Sequence, residues 1–280
     1  MGKNVYLPGL ALIGGVLGLG LRLWQRRVNF DPETLLFPAG GPAPVLLLAL
    51  RREGPPNTAE EALPCPSALY MTLMAAGALL MLAGGALTAQ EGFYQLTVWR
   101  ANLAAGSATY PVTYPIALLL CALLSFLSGP ALLVLGREGY RGPITTKAGP
   151  WSLVQPAAGL AWLFAFHLNH GTDPVLMDYG PALAAVAFLM LGSYELAALR
   201  YAHPHPRRGL FFCLFGVYLG LLSLGDSLDL FRLALAAAFI LSDLAGAMAL
   251  LSHMGPVRSG GARLAPTKEI NNEGDHNNGE

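Results

Sequence analysis

Pro111–Gly136 reads PVTYPIALLLCALLSFLSGPALLVLG, without one charged side chain. A helix needs about 20 predominantly apolar residues to cross the hydrocarbon core of a bilayer. An amphipathic surface helix would interrupt such a run with a polar face. Six further segments repeat the theme: Val5–Trp24, Ser67–Ala89, Trp151–His170, Tyr179–Leu199, Gly209–Leu224 and Phe231–Ser252. The pattern predicts an all-α, polytopic integral membrane helix bundle with seven transmembrane helices. The number becomes eight if Leu35–Leu50 also crosses. Pro38, Pro42 and Pro44 interrupt the first half of that run, and each removes a backbone donor that lipid cannot replace.

Composition points the same way. Of 280 residues, 54% are hydrophobic and 12% charged, against about 25% charged in a soluble domain. The mean hydropathy is +0.49. The formal net charge of zero argues against a nucleic-acid partner, which would call for a basic excess. Cys65, Cys121 and Cys213 are far apart in the chain and form no metal-type pair. Val5–Leu21 is long for a signal-peptide core and no small-residue cleavage site follows it, so a retained first helix is expected. The transmembrane domain is read as residues 1–252. Residues 253–280, rich in Gly, Asn and charge, form an expected disordered cytoplasmic tail.

Basic residues give an orientation, because cytoplasmic loops hold the excess of Lys and Arg. With seven spans and an external N-terminus, 14 of the 17 basic residues fall inside, leaving Lys3, Arg100 and Arg232 outside. With eight spans and an internal N-terminus, Arg22, Arg26 and Arg27 move out and Lys3 moves in, giving 12 against 5. The count favours seven. Both arrangements agree from Ser67 onward and put the C-terminus in the cytoplasm of a cell that carries this protein in its cytoplasmic membrane. Gln90–Tyr110 then reads as an outer loop, with Phe93, Tyr94, Trp99 and Tyr110 at headgroup level.

A few polar residues stand out. Asp243 lies near the middle of Phe231–Ser252. A central Asp costs roughly 2.5–3.5 kcal/mol of insertion free energy, which roughly ten apolar neighbours at 0.3–0.6 kcal/mol each can offset. Its carboxyl must then face protein or water, as a proton or cation site or as an interhelical contact. Glu195 is the second intramembrane candidate, placed to share a cavity with Asp243 if their helices touch, or to pair with a neighbouring arginine. His167, His170 and Asp173 form an outer-face group; the two histidines share a helical face and the carboxylate could complete a metal site. Gly14 and Gly18, and Gly216 and Gly220, are spaced for close helix contact.

Enzyme motifs fail to complete. Phe166 and His170 have a spacing used by some intramembrane proteases, but Glu60 and Glu61 lack the arginine such a site needs and lie outside any apolar run. No catalytic residue and no cofactor is expected. Three functions remain in order: a transporter or permease-like protein with an intramembrane carboxylate, a structural or sensory subunit of a membrane complex, and an intramembrane metal-dependent enzyme. The partners expected are the lipid bilayer and either another membrane protein or a second copy of the chain.

Overall fold

A computed structural model of the chain describes residues 6–28, 58–106, 112–142, 144, 148–170, 176–201, 205–225 and 229–254, with backbone alone at 6, 21–28, 59, 60, 170 and 176–179. Seven long helices account for most of them: α1 (Tyr6–Val28), α2 (Ala68–Ala104), α3 (Thr113–Arg141), α4 (Gly149–His170), α5 (Leu176–Leu199), α6 (Pro206–Ser223) and α7 (Leu230–His253). A single turn, Ala59–Ala62, precedes α2. Among the described residues there is no strand. Leu35–Leu50 and the tail beyond Met254 lie outside them.

The seven main apolar segments are helical over nearly all their described residues, but two ends move. α2 continues through Gln90–Ala104, where an outer loop was expected. The reason is local. No proline occurs between Ser67 and Pro111, so nothing removes a ladder donor. The helix stops only at Gly106, whose φ of +71° is open to glycine at little cost. Its backbone N–H donates to the Leu103 carbonyl. α3 likewise runs on to Arg141 and ends at Gly142, with φ +94°.

Among the described residues, four helices are long and apolar enough to cross a membrane: α2, α3, α5 over Gly180–Leu199, and α7. The described apolar part of α1, Leu7–Gly20, is shorter. α4 is diluted by Gln155, Pro156, His167 and Asn169, and the 18-residue α6 spends part of its length on Arg207 and Arg208.

Consecutive helices from α2 to α6 pack side by side, and α7 returns against α2, α5 and α6. In α7, 78% of the most apolar window is buried, against 39–50% in the other three spans. α7 is therefore the central helix. Large apolar side chains such as Leu79, Leu120, Leu123, Leu160 and Phe164 point outward, as a lipid-facing surface requires and a water-facing one avoids.

Small residues set the helix contacts. Gly216 of α6 sits so close to α5 that a Cβ there would lie 3.0 Å from the Leu189 nitrogen, and at Gly220 it would meet Ile240 of α7 at 2.9 Å. On α1, Gly18 is used as expected, but Gly15 joins it on the contact face, the two meeting Leu222 and Leu221 of α6. At the other end of α1, Leu7 and Ala11 belong to the same apolar cluster as Leu210, Leu214, Leu250 and Met254. α1 thus runs parallel to α6, from the end of the bundle that holds Pro206 toward the end that holds Ser223. The basic-residue count favoured the opposite direction.

Candidate functional site

Asp243 is fully buried on α7. Its carboxyl points at Gly192 of α5: a Cβ there would lie 2.7 Å from Asp243 Oδ2 and 3.2 Å from the Cys213 Cα of α6. The missing side chain at position 192 is what gives the carboxyl its space. Neither Asp243 oxygen has a hydrogen-bond partner among the described residues. An unsatisfied buried polar group costs about 1–3 kcal/mol, so this residue works against the packing around it.

Glu195 lies one turn further along the same face of α5 and is also buried. Its Oε1 is 3.0 Å from Arg208 Nη2 in the first turn of α6. Gly209 makes room beside it, where a Cβ would lie 3.5 Å from Glu195 Cβ. Asp243 and Glu195 therefore occupy one seam between α5, α6 and α7, and the helices do touch. The two residues do not share the open cavity described next: Glu195 is consumed by an ion pair, and Asp243 is sealed.

The cavity lies on the adjacent face of α7. Ser242 and Gly246, the immediate neighbours of Asp243 in sequence and along the helix, line it, together with Tyr70 of α2, Ser152 and Gln155 of α4, and Ser193 and Arg200 at the end of α5. Gln155 Nε2 donates to Ser242 Oγ, joining α4 to α7, and the Ser242 hydroxyl donates to the Phe239 carbonyl at 3.0 Å. Arg200 donates from Nη1 to Glu138 Oε2 of α3 at 3.0 Å; the side chains are 7% and 16% exposed. The free space is ≈ 50 Å³, several times the ~10–15 Å³ one water needs. Its walls come from the start of α2, the end of α3, the start of α4, the end of α5 and the second half of α7. Those helices therefore alternate in direction, and the cavity opens at the end of the bundle where Arg137, Arg141, Arg200 and Arg208 gather.

The opposite end carries Arg232 in the first turn of α7. Its guanidinium sits 5.1 Å from the Phe166 ring centre and 5.4 Å from that of Phe231, with Asp229 at 3.3 Å. Nearby His167 is exposed on α4. The side chain of His170, and Asp173 entirely, lie outside the described residues. Among the described residues no three His, Cys, Asp or Glu side chains gather as a metal would require.

Sequence reading found the charged members of the α5–α7 seam but missed the cavity. Gln155 was visible as an amide inside an apolar run. Glu138 stands next to Arg137 in the sequence. Nothing linear pairs it with Arg200, 62 positions away.

Fold and site together are those of a helical membrane protein that keeps polar groups between its helices. No protein-family model, curated protein or solved structure matches the chain.

Proposed function

We propose that this chain is a transporter or permease-like membrane protein, with the cavity around Gln155 and Ser242 as a vestibule and Asp243 as the buried carboxyl beyond it. One observation carries the reading. The cavity wall includes Ser242 and Gly246, on either side of a carboxyl whose two oxygens lack partners. A polar cavity beside an unsatisfied intramembrane acid is the pair of features a solute- or proton-coupled carrier would connect. The sealing of Asp243 fits a closed state, in which a shift of α5 against α7 would join it to the vestibule.

The bundle is placed in the cytoplasmic membrane with its basic end inward. Because α1 runs parallel to α6, its N-terminal end then also faces inward.

Thiol labelling tests the vestibule. Ser242→Cys and Gln155→Cys are expected to react with a small charged methanethiosulfonate reagent from the cytoplasmic side, and Leu235→Cys, fully buried on the same helix, to stay inert. Equal inertness of all three from both sides would sink the proposal. The subunit reading draws on the exposed Phe93 and Tyr94 of the α2 extension; co-purification of a stoichiometric partner would favour it instead.

A further inference from the structure

We infer that the cavity at the basic end binds a small oxyanion, a carboxylate or a phosphate, on the guanidinium of Arg200. The inference rests on the transporter reading for its meaning, since it names the substrate class, but as a binding claim it is tested separately.

Arg200 is almost completely buried and faces the cavity. A guanidinium presents five N–H donors in a rigid planar fork. One nitrogen, Nη1, meets Glu138, and among the described residues no other acceptor is hydrogen-bonded to Arg200. A single-atom contact falls short of the two parallel bonds that the fork makes with a well-placed carboxylate. Arg200 lines a space that also holds hydroxyls and an amide. The pair is also asymmetric. Arg200 lines the cavity, while Glu138 is not among its lining residues and is the more exposed partner. The inward field is therefore that of the cation.

The surroundings set the ligand's size and polarity. Gln155 gives one N–H to Ser242 and carries a second on the same nitrogen. Ser152 donates to the Gly149 carbonyl of its own helix at 2.6 Å, and its hydroxyl can turn toward a ligand instead. At ≈ 50 Å³ the space has room for a small anion of acetate or phosphate size. The opposite wall, with Met74, Leu132 and Leu135, suits a short apolar substituent on the carboxylate.

Calorimetry on the full chain in neutral detergent tests this, with acetate, inorganic phosphate and uncharged acetamide as probes. Saturable binding of acetate or phosphate is expected, with none for acetamide. Arg200→Lys should weaken it about tenfold, since a charged hydrogen bond is lost while the charge stays, and Arg200→Gln should abolish it. Glu138→Gln should tighten it severalfold by removing the competing carboxylate. That sign separates the proposal from a staple between α3 and α5, for which both variants would only loosen the bundle. Acetamide matching acetate, or Glu138→Gln weakening binding as Arg200→Gln does, would overturn it. So would saturation by phosphatidic acid in mixed micelles with no response to free anions, which would assign the guanidinium to a lipid headgroup. Binding that survives while Ser242→Cys proves inert leaves the site standing and removes the transporter reading; the reverse outcome does the opposite.

Discussion

Gly192 and Asp243 form a close pairing of single residues across two helices. A methyl at position 192 would press on the carboxyl at 2.7 Å and on Cys213 Cα at 3.2 Å. Overpacking of this kind typically costs about 1–3 kcal/mol. Gly192→Ala is expected to lower stability in detergent by that amount, and by less in an Asp243→Ala background, where the nearer obstacle is gone. Thermal or denaturant unfolding of the four proteins in the cycle measures the coupling; strictly additive losses would show that the carboxyl does not depend on that glycine. The same residues mark a limit of sequence reading. Asp243 declared itself because a charge is rare in an apolar run. Gly192 did not, because a glycine in a membrane helix is common and only the crossing of three helices gives it a task.

At the level of elements, α2 departs furthest from expectation. Its 37 residues make a rod of about 55 Å at 1.5 Å per residue, well beyond the ~30 Å hydrocarbon core. Its buried positions recur at three- and four-residue steps from Tyr70 to Gly92. After Gly92 no residue of the helix is buried. The last turns are therefore more open than the rest of the helix, with side chains half-buried or exposed. Spin labels at Leu79 and Arg100 should separate the two regimes, with Leu79 relaxed by oxygen dissolved in lipid and Arg100 by a water-soluble nickel chelate. Oxygen-dominated relaxation at both would mean that α2 tilts or lies along the membrane. The end of this helix was in principle readable from the absence of proline and from Gly106, but charge and aromatic content at Gln90–Tyr110 imitate a loop. Polarity reports exposure to water and does not report loss of the helical ladder.

For the whole molecule, topology is the open quantity with a direct test. A reporter enzyme fused after Asn29 is expected to be active on the external side, because α1 runs parallel to α6. Cytoplasmic activity would restore the seven-span arrangement and contradict the contacts of Gly15 and Gly18 with Leu221 and Leu222. The basic-residue count leaned the other way on the strength of Arg22, Arg26 and Arg27 alone. A charge bias sums weak preferences over loops, whereas the direction of a helix against its neighbour is fixed by which side chains meet.

By itself the sequence determined that this is a membrane-type helical protein, where its helices lie, and that Asp243 is out of place among them. Those properties follow from local quantities: the length of an apolar run against the thickness of a bilayer, and the cost of one charge within it. Tertiary structure alone decided that α7 is central, that α1 lies parallel to α6, that Glu195 is spent on Arg208, and that Arg200, Gln155 and Ser242 wall one cavity. Each depends on which faces of which helices meet. Without a hydrophobic drive between helices in lipid, that choice falls to small residues and polar contacts distant in the chain, and no linear pattern announces their pairing.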